Sequence, residues 1–375
     1  MTNLLLAALL ARLTGSPDTT VRVDAFPANP IIERDAGTQY LNFDFGLTNS
    51  ADQPREVRRI DLTVFDARNR LVHRQFVSAT GAASPGLLTV PERIIPANGL
   101  LNIFNPFFAL PGHLEIGRLH YEFVFATRAI EPTASVGIDI VPKALAAPVR
   151  LTLPVDGPAL LYDGHDFYAH HRRIPLGSAL ARQRKLVANP VRFANDWTPV
   201  GPNGELARGP LATPTNWYAY GATVRAPAAG VVVSALNDVP DNRIDGDDLV
   251  VPPEVAADEL KASLGNHLII KHRDGVYTLL AHLKAGSVRF AVGDTIRQGV
   301  VVGEIGFSGD TGFHVHVHQM LMTEPTLAGE GLPSYFDRVR RVSLSGGSVP
   351  YGPTLVGARL DTGDLVISVA AGRRR

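Results

Sequence analysis

The stretch His314-Val315-His316-Val317-His318 decides how the second half of this chain is read. In an extended strand, residues two apart share a face, so three imidazoles line one side and two valines the other. A buried face gathers three ionisable rings only if each is neutral or paired. The valines are therefore expected to pack inward and the histidines to form a metal or catalytic surface. The plain alternative is a solvated histidine ladder.

Outward from that stretch, nine of the twelve histidines lie between His165 and His318, where an even spread would place about five. One ends an apolar run, Leu279-Leu280-Ala281-His282-Leu283. Two more stand in His170-His171-Arg172-Arg173, followed by a lone acid in Arg192-Phe193-Ala194-Asn195-Asp196-Trp197. Cysteine is absent, which removes disulfides, thiolate metal sites and cysteine nucleophiles. Any metal must be held by histidine and carboxylate. Zinc suits such a set: three protein ligands leave a fourth position for water, which the ion acidifies into a nucleophile. The spare histidines can then serve as base and as oxyanion donor. His165, His267 and His272 are expected at the rim or on the surface.

A chain of 375 residues suggests two domains. Thirty-six basic residues balance thirty-six acidic ones, so no global field draws nucleic acid or an anionic membrane. From about residue 20 to 142, short alternating runs such as Ile60-Asp61-Leu62-Thr63-Val64-Phe65 and His120-Tyr121-Glu122-Phe123-Val124-Phe125 recur between turn residues. So does Tyr40 to Leu47, whereas Leu47 to Asp52 reads as a loop. This pattern predicts an immunoglobulin-like β-sandwich. Residues 143–153 read as a linker. Beyond it come further strands, one helix over Glu254 to Leu264, and an acidic, proline-rich insertion from Asn237 to Ala262 over one face. The apolar run Leu4 to Ala11 is too short to span a bilayer. It suits either a signal h-region lacking its basic flank or a short helix, so no stable membrane insertion is expected. Arg373-Arg374-Arg375 forms a solvated basic tail.

These residues resemble the lysostaphin-type (LytM-like) zinc metallopeptidases, over roughly residues 160–340. The family pattern is an early His and Asp, an Ala-His-Leu histidine, a glycine-rich turn and a His-x-His strand. The matching stretches are His171 and Asp196, then Ala281-His282-Leu283. The turn runs from Gly299 to Gly312 and leads into His314-Val315-His316. The resemblance implies zinc held by His171, Asp196 and His316, with His314 as base and His282 steadying the oxyanion. Three departures stand out. The first ligand pair is far apart, with His170 a rival for His171; Phe313 replaces an expected proline; and the segment after Gly309 is one residue short. The triple histidine thus permits a second register, in which His316 is the base, His318 the ligand and His314 the extra.

The fold class expected is all-β: a sandwich over 20–142 behind an N-terminal apolar segment (1–19), then the linker. A LytM-like antiparallel β-sheet peptidase domain with long loops follows over 154–342, and a β extension with the basic tail over 343–375. The resemblance implies hydrolysis of amide bonds, foremost the peptide cross-links of bacterial peptidoglycan, and hence a periplasmic or secreted location. The competing expectations are a silent scaffold that binds peptidoglycan or a partner protein, and a hydrolase of some other amide.

Overall fold

A computed structural model describes residues 16–35, 37–78, 90, 92–125, 134–145, 149–176, 181, 186–273, 275–345 and 347–369. The N-terminal apolar run and the basic tail lie outside these residues. The chain divides into two compact units, residues 1–146 with 175–188, and residues 147–174 with 189–375.

The first unit is built on β-sheets, as its alternating runs imply. Arg55–Phe65, Leu71–Ser78, Arg118–Phe125 and Ala134–Ile140 are neighbours in one sheet. A four-stranded and a three-stranded sheet complete the unit. All three feed one core, in which Phe43, Phe45, Tyr121 and Phe123 meet edge-on or tilted with centroids 4.8–5.8 Å apart, arrangements that aromatic quadrupoles favour. The run expected as one strand from Tyr40 to Leu47 is two, Thr38–Leu41 and Asp44–Asn49, in different sheets. The chain crosses over at Asn42, whose amide donates to Glu33, and at Phe43, whose carbonyl accepts from Asn105 N–H. The second of these strands also consumes the start of the loop expected from Leu47.

The second unit is built on an eleven-stranded sheet. Its central strands are β1 (Ala159–Asp163), β2 (Asn195–Pro199), β3 (Gly230–Leu236), β4 (Asn266–Lys271), β5 (Tyr277–Leu283) and β6 (Val317–Met322). They lie in the order β3-β4-β5-β6-β2-β1, every pair antiparallel. Leu365–Ser368, Val339–Ser343 and Val349–Leu355 continue the sheet beyond β1. One face carries the main core, including Trp197, Leu268, Ile270, Leu280, Val317 and Leu321. The other carries Ala194, Ile269, Leu279, Ala281, Met320 and Met322. Burial on both faces explains why β4 to β6 read as near-continuous apolar runs rather than alternating ones.

The insertion holds a hairpin, Arg243–Asp245 with Asp248–Val250, and two short helices, α1 (Pro253–Ala256) and α2 (Glu259–Leu264). The single helix expected there breaks because Asp258 leaves helical geometry to cap α2, accepting from Leu260 and Lys261 N–H.

Candidate metal centre

Only His318 of the histidine triplet stands in a hydrogen-bonded strand; His314 and His316 precede β6. The alternation nonetheless holds. Val315 and Val317 join the main core, while all three rings turn to one carboxylate. Asp196, on β2, pairs in register with His318, and its side chain is 1% exposed. Around it stand His318 Nδ1 at 2.9 Å and His316 Nε2 at 3.4 Å from Oδ1. His314 Nε2 lies at 3.4 Å and His171 Nε2 at 3.7 Å from Oδ2. Every residue expected in the site from the early His-Asp pair and the histidine triplet is thereby brought together.

Two bulges aim the flanking groups. Between β1 and β2, Leu161 pairs with Trp197 and Asp163 with Asp196, leaving Tyr162 as the extra residue. Between β4 and β5, Ala281 and His282 together oppose His267. Such insertions re-aim side chains beside functional sites. His282 itself has φ +63°, uncommon for a residue with a Cβ and characteristic of functional positions. It is held there by Gly306 N–H on its carbonyl and by its own Nδ1, 2.9 Å from Ser308 O. The turn can come this close because the backbones of Gly265 (φ +58°) and Gly309 (φ +81°) abut, where a Cβ on either would collide. The His282 ring lies 4.9 Å from that of His316, and His316 4.1 Å from His314 in a parallel stack.

A carbonyl accepts and never donates, so the contact with Ser308 fixes the Nδ1–H tautomer of His282 and leaves Nε2 bare. The contact of His316 Nδ1 with His314 O at 3.1 Å does the same for His316. Burial lowers the pKa of His282 to about 4, with the neighbouring His318 adding to it. Burial also holds His171 and His316 below the usual histidine range, Asp196 opposing it in both. For Asp196, burial raises the pKa, but the surrounding imidazoles, His316 and His171 foremost, outweigh it and hold the carboxyl well below its usual value.

Buried imidazoles crowding a buried carboxylate form a donor set fit for a metal. Among the described residues, no lysine or arginine is paired with this carboxylate. His314 Nε2 is buried without a hydrogen-bond partner, and potential ligand atoms of Asp196, His314 and His316, and of His282, His316 and His318, converge within 4.8 Å. These donors are nitrogen and oxygen, the chemistry zinc accepts.

Asp163 was not foreseen. Its carboxylate accepts from the backbone N–H groups of His170 and His171 at 2.9 and 3.0 Å. It also lies 2.8 Å from His171 Nδ1, though that nitrogen is not aligned for a hydrogen bond. His170 shares Asp163 but its side chain is 62% exposed, so His171 is the one that reaches Asp196. Tyr162 stacks on His314 with centroids 4.1 Å apart. The sequence signal for both was available: an apolar strand ending in Tyr-Asp-Gly just before a histidine-rich loop. The three remaining histidines contradict the rim or surface positions expected of them; all are buried. His267 bridges Gly265 O and Ser234 Oγ, and His272 bridges Ala229 O and Thr278 Oγ1, so both rings have their nitrogens satisfied in the interior. His165 packs edge-on against Phe193. Asn266 braces the same region, its amide donating to Val239 and Leu283 carbonyls.

Comparison with known proteins matches residues 217–326 to the model of peptidase family M23. The match takes in His282 and His314 to His318 and leaves His171 and Asp196 outside. No curated protein matches the sequence. Among solved structures, a catalytic-domain variant of the prophage-encoded M23 protein EnpA from Enterococcus faecalis is 19% identical. That alignment covers 38% of this chain and 75% of the other, with a TM-score of 0.24. The catalytic domain of lysostaphin from Staphylococcus simulans is 17% identical, covering 34% and 84%, with a TM-score of 0.21. The deep-sea M23 metalloprotease pseudoalterin is 14% identical, covering 57% and 98%, with a TM-score of 0.28. Likeness of this size says nothing about activity. What the comparisons show is a likeness of residues 217–326 to peptidase family M23.

Proposed function

We propose that the second unit is a zinc-dependent peptidase acting on peptide cross-links of bacterial peptidoglycan, and that it works in the cell envelope. The observation that carries this reading is the buried Asp196 carboxylate ringed by imidazole nitrogens, with the bare Nε2 of His282 beside them. The ligands proposed are His171, Asp196 and His318, the second of the two registers. Its support is the cross-strand pairing of His318 with Asp196 and the edge contact of the His171 and His318 rings at 4.8 Å. The first register, with His316 as ligand and His314 as base, is favoured by a different observation: the Nε2 atoms of both point at Asp196 from 3.4 Å.

Zinc so held would supply an acidified water and a Lewis acid for the scissile carbonyl. His316, with Nε2 bare and Asp196 near enough to favour its charged form, takes the proton of the attacking water. His282 cannot donate from Nε2 while neutral, because its proton lies on the Nδ1 bonded to Ser308. It therefore accepts a hydrogen bond first, and serves the oxyanion or the leaving nitrogen only once protonated. Burial of all these groups excludes bulk water and strengthens each electrostatic contact.

Elemental analysis of the purified protein beside three single-alanine variants tests the assignment. The expected result is about one zinc per chain, lost in Asp196→Ala and His318→Ala but retained in His316→Ala, which instead loses hydrolysis of purified peptidoglycan. Retention in His318→Ala with loss in His316→Ala would restore the first register. A zinc-free wild type after reconstitution would leave the non-catalytic binding module as the better reading.

A further inference from the structure

The donors of the metal centre are buried: Asp196, His314, His316 and His318 are at most 8% exposed. A divalent cation gives up its hydration at heavy cost on entering such a place unless donors replace its waters one after another. A file of donors runs from the centre to solvent. The His170 side chain is 62% exposed, and its Nδ1 lies 2.9 Å from Asp163 Oδ2. The same oxygen lies 2.8 Å from His171 Nδ1, and His171 Nε2 lies 3.7 Å from Asp196. One donor atom from each of these four residues falls within 4.8 Å of the others. The same holds for Asp196, His314 and His316, so Asp196 belongs to an outer and to an inner set. Two details of the outer set suit a cation. His171 Nδ1 is buried with no aligned hydrogen-bond partner. Arg173, on the same loop, turns its guanidinium onto the Tyr168 carbonyl at 2.8 Å.

We propose that Asp163, His170 and His171 form an outer site that captures a divalent cation from solvent and hands it to the buried centre. The proposal rests on the metal-binding reading of Asp196 given above. His170 makes the first contact because it alone of the four side chains is open to water. Asp163 is fixed by the backbone N–H groups of His170 and His171, and its charge offsets the hydration the ion loses. Transfer to Asp196 exchanges one carboxylate for another, so the ion meets negative charge at each stage. The His171 ring serves both sets, with Nδ1 toward Asp163 and Nε2 toward Asp196. Because the two sets share Asp196 and His171, a single ion uses them in turn, and binding stays at one ion per chain. His170 does not touch the ion at its final position. It therefore speeds entry and exit by the same factor and leaves the equilibrium affinity alone. A histidine that merely held His171 in place would do the opposite: its loss would hasten release and weaken binding.

The test uses the metal-free full chain and zinc ion as the probe, followed by stopped flow with a fluorescent zinc indicator. His170→Ala is expected to take up zinc about 10-fold more slowly than the wild type. Release into excess chelator should slow by the same factor, and the affinity from chelator competition should not change. His170→Glu, which restores a donor at the entrance, should recover most of both rates. Uptake by His170→Ala at the wild-type rate overturns the outer site, whether release is unchanged or faster. A wild type that takes up no zinc sinks the metal centre itself, a failure separate from that of the outer site, which requires a chain that does bind the ion.

Discussion

At the scale of single residues, the tautomers matter most. His282 combines a left-handed backbone, a buried ring and a pKa lowered to about 4. Asparagine tolerates the same backbone conformation better than most residues, so His282→Asn is expected to fold, keep its zinc and lose peptide hydrolysis by at least about 100-fold. Retained activity would remove His282 from the chemistry. The same pKa has a consequence for the metal-free protein. An unfolded chain protonates this histidine near pH 6.5, the folded one only near pH 4, so acid favours the unfolded state between those values. Stability of the metal-free protein is expected to hold above pH 6.5 and to fall as pH drops toward 4, a decline that thermal melts will show flattened in His282→Asn. The imidazole face and its valine back were legible from the two-residue period alone. Which histidine is ligand was not, because that depends on the rings of His171, from a short 3-10 turn, and His282, from another strand.

At the scale of elements, the bulges on β1 and β5 do what no local pattern announces. Tyr162 is the extra residue that lets Asp163 pair with Asp196 rather than fall on the opposite face. A one-residue shift of register exchanges the two faces of a strand. Asp163→Ala, which removes the acceptor of the His170 and His171 N–H groups, should weaken zinc binding by about 10- to 100-fold, read by competition with a chelator, while circular dichroism stays that of the wild type. Unchanged affinity would make that acceptor incidental. The strands themselves were readable from their apolar runs. Their pairing partners, and hence the bulges, were not, since both depend on residues far away in sequence. The break between α1 and α2 was local, an Asp258 cap inside a helical pattern, and could have been read.

At the scale of the whole molecule, the first unit takes in residues 1–146 and also residues 175–188. The long spacing between His171 and Asp196 is thus an excursion of the chain into the other unit's fold, invisible to composition. Leu176 and Leu186 line a cavity with Phe26 and Leu100 there. A fragment starting at residue 149 would leave these leucines without their partners. It is expected to bind a hydrophobic dye and melt at a lower temperature than the full chain; equal melting would show the excursion to be dispensable. The sheet of the second unit has a further consequence. Strands β5 and β6 are buried on both faces and flanked by paired strands on both edges, so their amide protons are the slowest class to exchange with heavy water. Asp196 pairs directly with the more central of these strands, and His282 and His318 lie on them. Little of the proposed site's geometry then awaits assembly by a ligand, and the entropy of ordering these groups is settled when the chain folds.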